Sequence, residues 1–73
     1  MKTVNKIILK NGNRFTQTMD HSATLTKESK DTFLQQQAES LNNNSFVYMH
    51  LDSGFSLTCK VEDIERIMTS FEP

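Results

Sequence analysis

Residues 46–60, with the sequence FVYMHLDSGFSLTCK, decide the fold. Apolar and polar side chains alternate on both sides of Asp52-Ser53-Gly54, a pattern typical of a β-hairpin with one buried face. We predict a three-residue loop at 52–54, a type I turn closed by a glycine in the left-handed region. A two-residue loop would scatter the apolar groups over both faces. The predicted register turns one set of side chains inward: Val47, Met49, Leu51, Phe55, Leu57 and Cys59.

The opposite face of this hairpin is unusually aromatic. It carries Phe46, Tyr48, His50, Ser56, Thr58 and Lys60. Phe46 and Tyr48 are large side chains to leave in water, so we expect something to cover them. The candidates are the C-terminal segment, a second copy of the chain, or a partner.

Another hairpin, the first in chain order, is predicted between Thr3 and Met19, around Asn11-Gly12, which is a strong short hairpin signal. A three-residue loop at 10–12 would place Ile7, Leu9, Phe15 and Met19 on one face. A two-residue loop at Asn11-Gly12 would instead pair Ile8 with Phe15 and Val4 with Met19. Both registers are open at this point.

Residues 26–41 predict an amphipathic helix. Thr26 suits the N-cap, and Asn42-Asn43-Asn44 ends the segment because asparagine tolerates the left-handed conformation at a helix C-terminus. The predicted apolar stripe consists of Phe33, Leu34, Gln37, Ala38 and Leu41.

The segment 61–71 is open to two interpretations. Its apolar residues at 61, 64, 67, 68 and 71 have helical spacing and predict a short helix with acids on the opposite side. The alternative is a turn at 61–64 followed by a strand from Arg66. In either case, residues 1–73 predict one small α+β domain: an antiparallel sheet of two hairpins in the order β-β-α-β-β, a helix on one face, and a C-terminal helix or turn.

Composition argues against several classes of protein. No apolar run is long enough to form a transmembrane helix, and a single cysteine allows neither an internal disulfide nor a cysteine metal cluster. Cys59 and His50 have opposite strand parity and so cannot form a nucleophile–base pair. Neither they nor His21 have a spacing typical of zinc ligands. We therefore expect a protein that is not an enzyme, with no catalytic residue, cofactor or metal.

Charge is divided unevenly along the chain. The first thirty residues contain six cationic side chains against two anionic ones, and the rest contain two against seven. Neither part contains a block of like charges, so we interpret this as two solvated, complementary faces. A single core in a chain this short contributes only about 3–5 kcal/mol, which favours a homodimer.

We therefore expect a cytoplasmic, non-enzymatic binding protein that occupies the surface of a partner protein. The Lys, Asn and Ile content suits a bacterial or phage accessory or inhibitor protein. Candidate contact residues are Phe46, Tyr48 and His50 on the hairpin and Glu62, Asp63 and Glu65 in the tail. One alternative is a nucleic-acid-binding sheet face that adds Lys6, Lys10 and Lys60 to the aromatic residues. Another is a small-molecule sponge with its pocket at a dimer interface.

Overall fold

The computed structural model describes residues 1–21 and 24–73. Its elements in chain order are β1 (Lys2–Leu9), β2 (Arg14–Asp20), α1 (Lys27–Asn43), β3 (Phe46–His50), β4 (Ser56–Lys60), a 3₁₀ turn (Val61–Asp63) and β5 (Ile64–Glu72). This arrangement confirms a small α+β fold in the predicted order β-β-α-β-β, followed by a turn and a fifth strand.

The strands form two antiparallel sheets rather than one. In the first sheet β1 lies between β2 and β5, and in the second β3 pairs with β4. Ile7 occupies the centre of the first sheet, directly opposite Phe15 on one side and Ile67 on the other. The helix packs on the inner face of this sheet. There the rings of Phe33 of α1 and Phe71 of β5 meet edge to face, with their centroids 6.1 Å apart.

Both hairpins close with the same three-residue turn. The Gly12 N–H donates to the Leu9 carbonyl at 2.9 Å, and the Gly54 N–H donates to the Leu51 carbonyl at 3.0 Å. The two glycines have φ angles of +93° and +92°, which a residue with a Cβ rarely adopts. The register predicted for the second hairpin is confirmed, and the first hairpin takes the three-residue alternative.

The prediction of a helix at 61–71 is wrong, and the alternative of a turn followed by a strand is correct. A β-bulge explains the misleading spacing. Ile64 pairs with Leu9 whereas Arg66 pairs with Ile8, so an extra residue separates the two ladder positions. The bulge lets Ile64 and Ile67 both turn inward, which imitates the three-residue spacing of a helix face.

The helix begins as predicted but packs with a narrower face. The Thr26 hydroxyl caps it by accepting a hydrogen bond from the Ser29 N–H at 3.1 Å. Leu34 and Ala38, which we expected in the apolar stripe, are exposed. The half-buried residues are Lys30, Phe33, Gln37 and Leu41.

The helix also ends differently from the prediction. Asn44 is extended rather than left-handed, with φ −118°. Its side-chain amide donates to the Ser40 carbonyl at 2.7 Å, and its backbone N–H donates to the same oxygen at 3.1 Å. Asparagine therefore ends this helix through its hydrogen-bonding amide.

Thr26→Ala removes the helix cap, so we expect it to lower the free energy of unfolding by about 1 kcal/mol. Urea denaturation followed by circular dichroism measures this loss. Thr32→Ala is the matched control because residue 32 lies inside the helix, where alanine is the better helix former. Equal destabilisation by the two substitutions would contradict the capping role.

Few apolar side chains are fully enclosed. Among the described residues, the buried ones are Ile7, Ile8 and Leu9, consecutive residues of β1. The chain exposes 5306 Å² of surface. A compact monomer of this mass exposes about 4,600 Å². The fold thus leaves roughly 700 Å² more surface in water than a typical monomer of its size.

Candidate functional site

Among the described residues, the outer face of the second hairpin carries two of the five exposed large hydrophobic side chains, Phe46 and Tyr48. We use "outer face" for Phe46, Tyr48 and His50 of β3 together with Ser56, Thr58 and Lys60 of β4. All six side chains are exposed, whereas their odd-numbered neighbours in these strands are half-buried. Phe46 and Tyr48 expose 60% and 64% of their surface. The predicted division of the hairpin into two faces is therefore present in both strands.

Local contacts hold parts of the outer face in place. The rings of Tyr48 and His50 meet edge to face with centroids 5.2 Å apart. Nδ1 of His50 lies 3.0 Å from the Ser56 hydroxyl. At the other end, Lys60 Nζ lies 4.0 Å from a carboxylate oxygen of Glu62, both of them exposed. The face thus combines oriented aromatic rings with a rim whose charges compensate each other.

The C-terminal segment does not cover this face. β5 pairs with β1 in the other sheet, so the C-terminal segment is eliminated as the cover of Phe46 and Tyr48. A second copy and a partner are the two that remain.

The three acidic candidates are exposed, but they do not share a helix face. Glu62 and Asp63 lie in the 3₁₀ turn, and Glu65 lies at the bulge that begins β5. The Asp63 carbonyl accepts a hydrogen bond from the Lys10 N–H at 2.9 Å, which ties the turn to the first hairpin. Across residues 1–21 and 24–73, no group of three or more His, Cys, Asp or Glu side chains is placed to hold a metal ion.

The three candidate lysines lie in different parts of the molecule. Lys60 pairs with Phe46 on the outer face. Lys6 belongs to the first sheet, between Thr16 and Met68, and Lys10 belongs to the turn after β1. The structure therefore brings only Lys60 beside the aromatic residues.

Phe55 departs from the predicted inward set. We expected it to face the interior with Leu51, but 76% of its surface is exposed. Phe55 lies beyond His50 and Ser56, the last ladder pair of the hairpin. The loop end extends past the strands, so the alternation of a strand no longer determines where this side chain lies.

Cys59 lies on the inner face opposite Val47, and His50 lies on the outer face. Desolvation, and to a lesser extent the negative charge of Asp63, raise the pKa of the Cys59 thiol. Both effects disfavour the thiolate, which is the nucleophilic form of cysteine.

We therefore expect iodoacetamide to alkylate Cys59 more slowly than it alkylates free cysteine between pH 7 and 9. Asp63→Asn removes the smaller cause of the raised pKa, so its alkylation should be faster than that of the wild type. Glu65→Gln removes a nearby charge that does not perturb the thiol and serves as the control. A wild-type rate equal to that of free cysteine would contradict the assignment.

Four polar residues form a hydrogen-bonded network in the interior that the sequence did not predict. Asn5, Gln17, Gln37 and Thr69 are linked by hydrogen bonds between β1, β2, α1 and β5. The only signal in the sequence was a glutamine within the apolar stripe of the helix.

Comparison of the chain with protein-family models, curated proteins and solved structures finds no match. Within the described residues, no helix has the length and hydrophobicity needed to cross a membrane.

Proposed function

We propose that this chain is a non-enzymatic binding protein that uses the outer face to occupy the surface of another protein. The observation that carries the proposal is the pair of exposed aromatic side chains, Phe46 and Tyr48, held side by side on a regular strand. Tyrosine and other aromatic residues are enriched in protein interfaces because they bury a large area at low entropic cost.

The size of the exposed surface agrees with this proposal. The excess of roughly 700 Å² over a compact monomer belongs to the chain as a whole, and the exposed rings of Phe46 and Tyr48 are part of it. The buried apolar core is confined to one strand in the described part of the chain. Binding would therefore supply apolar contacts that the fold itself lacks.

The chemistry of the outer face favours a partner with an apolar pocket. Lys60 and Glu62 compensate each other at the rim, and Ser56 and Thr58 are neutral. Binding by uncharged aromatic anchors depends weakly on ionic strength, whereas phosphate recognition weakens steeply with salt. We propose Phe46 and Tyr48 as the anchors and His50 as a supporting contact.

The acidic residues serve as a secondary part of this proposal. Glu62 adjoins the outer face through Lys60, so it belongs to the rim of the same surface. Asp63 and Glu65 follow it in the turn and at the start of β5, and all three are exposed. We propose that these carboxylates affect the rate of association more than the affinity, as charges at an interface rim usually do.

We further propose a homodimer working in the bacterial cytoplasm as an accessory or inhibitor protein of bacterial or phage origin. The support for a dimer is the edge of β5 that faces away from β1, because no other strand of residues 1–21 and 24–73 pairs with this nine-residue strand. Such an edge presents unpaired backbone groups to a second strand. Pairing through β5 leaves the outer face available to a different protein.

The experiment that tests the proposed function compares two sets of substitutions. Phe46→Thr with Tyr48→Thr removes the aromatic anchors, and Lys6→Glu with Lys10→Glu reverses charges that a nucleic acid would need and that lie off the outer face. Partner binding is expected to be lost in the first set and retained in the second. Electrophoretic mobility shifts with DNA and RNA at low salt test the nucleic-acid alternative, and shifts that the lysine set abolishes would contradict the proposal.

A further inference from the structure

An open cleft of about 390 Å³ lies between α1, the inner face of the first sheet and β3. Asn5, Gln17 and Ile67 line it from the sheet, and Gln37 lines it from the helix. Phe33, Phe46 and Tyr48 supply aromatic surface. None of the described residues that line the cleft carries a charge. Its volume falls within the ~300–1,000 Å³ range of small-molecule sites.

A connected set of amide and hydroxyl groups lies beside this cleft, and three of its members, Asn5, Gln17 and Gln37, line it. Asn5 is the centre of the set and is only 3% exposed. The Thr69 hydroxyl donates to Asn5 Oδ1 at 2.7 Å, and Gln37 Nε2 donates to the same oxygen at 3.4 Å. Asn5 Nδ2 in turn donates to Gln17 Oε1 at 3.3 Å. The network fixes the orientation of Asn5 and uses the carbonyl oxygen of Gln17.

Part of the hydrogen-bonding capacity of these amides is not used within the fold. A carboxamide has two N–H donors and two acceptor lone pairs. Within residues 1–21 and 24–73, the NH₂ group of Gln17 and the whole carboxamide of Gln36 have no protein partner, and both residues line the cleft. The cleft therefore offers a ligand the NH₂ group of Gln17 and, at its exposed side, the carboxamide of Gln36.

We infer that this cleft binds an uncharged, planar molecule with adjacent hydrogen-bond donors and acceptors, of the nucleobase or nucleoside class. Asparagine and glutamine amides pair with the edges of bases through such adjacent groups, and aromatic side chains stack on their faces. A phosphate is disfavoured because the lining offers no cation to compensate its charge. This site shares Phe46 and Tyr48 with the proposed protein-binding face but depends in addition on the amides of Gln17 and Gln36.

Isothermal titration calorimetry with adenosine, guanosine, cytidine and uridine tests the inference. Saturable binding of at least one nucleoside is expected, and its 5′-monophosphate should bind more weakly. Gln17→Met should weaken binding about fivefold or more, because it loses a hydrogen bond to the ligand, and Gln37→Met should weaken it by releasing the Asn5 side chain that Gln37 Nε2 holds. Gln35→Met is the matched control, since residue 35 lies on the exposed side of the same helix and should leave the affinity unchanged.

Gln36→Met protects the test against a loss of folding. Gln36 lines the cleft but makes no hydrogen bond to Asn5 or Thr69, so its replacement leaves the internal network intact. A weaker affinity in this variant supports the inference even if Gln37→Met unfolds the chain. Absence of binding to all four nucleosides at millimolar concentration would overturn it, and so would equal binding by wild type, Gln17→Met and Gln36→Met. If Gln17→Met weakens nucleoside binding but keeps binding to the protein partner, the cleft and the outer face act as separate binding sites.

Discussion

Ile7→Ala is expected to unfold the isolated chain at room temperature. Ile7 is 0% exposed and lies at the centre of the first sheet, between Phe15 and Ile67. Truncating a fully buried isoleucine to alanine costs about 2–5 kcal/mol, because apolar contacts are lost and a cavity remains. The core of a domain this small supplies only about 3–5 kcal/mol in total. One substitution therefore removes most or all of the stability.

Circular dichroism and urea denaturation measure this effect. Ile7→Val keeps most of the side-chain volume and should cost about 0.5–1.5 kcal/mol, which leaves the protein folded. Lys6→Ala, at the neighbouring exposed position, should change the free energy of unfolding by about 0.5 kcal/mol or less. If Ile7→Ala unfolded cooperatively with the same urea midpoint as the wild type, the stability of the fold would come from residues other than Ile7.

Phe46→Thr combined with Tyr48→Thr is expected to abolish measurable binding to the protein partner while the fold is retained. A central aromatic anchor contributes about 2 kcal/mol or more to an interface, so the loss of each one weakens affinity about thirtyfold. Both side chains are exposed in the isolated chain, and threonine is a good strand former. The melting temperature should therefore stay near that of the wild type.

The matched control changes charge instead of aromatic surface. Lys6→Glu and Lys10→Glu remove positive charge from the two candidate nucleic-acid contacts that lie off the outer face, and binding to the protein partner should be retained. Raising the salt concentration from low to physiological should change the affinity little, since the two anchors Phe46 and Tyr48 are uncharged. The reverse pattern, with binding lost in the lysine set and steeply dependent on salt, would identify a nucleic-acid surface.

Local sequence information was sufficient to predict both hairpins. The second hairpin followed from alternation on both sides of Gly54, since only one loop length collects the apolar side chains on one face. The first hairpin could not be assigned a register because Ile7 and Ile8 are both apolar. In the structure both are buried, so the pattern truly contains no alternation at that point.

The C-terminal segment shows where periodicity fails. A bulge near Glu65 places Ile64 and Ile67 on the same side of a strand, and this spacing is the one that a helix would use. Pairing with β1, about sixty residues earlier, determines the outcome. Tertiary pairing of this kind is not visible in a local window of the sequence.

The outer face and the amide cleft also differ in whether the sequence predicts them. The outer face was predictable, because even-numbered residues of a hairpin with one inner face must point away from it. The amide cleft was not, because Asn5, Gln17, Gln37 and Thr69 come from four separate elements. Each residue alone is an ordinary polar position, and only the assembled fold brings the four together.

The central claim is that the outer face binds a protein, and site-specific photo-crosslinking from position 48 in the native cell tests it most directly. With a benzophenone amino acid in place of Tyr48, we expect one dominant protein adduct, whose mass distinguishes a second copy of the chain from a different partner. The same group at Gln35, an exposed position on the helix, should not give that adduct. A nucleic-acid adduct at position 48, or the same products from positions 48 and 35, would contradict the claim.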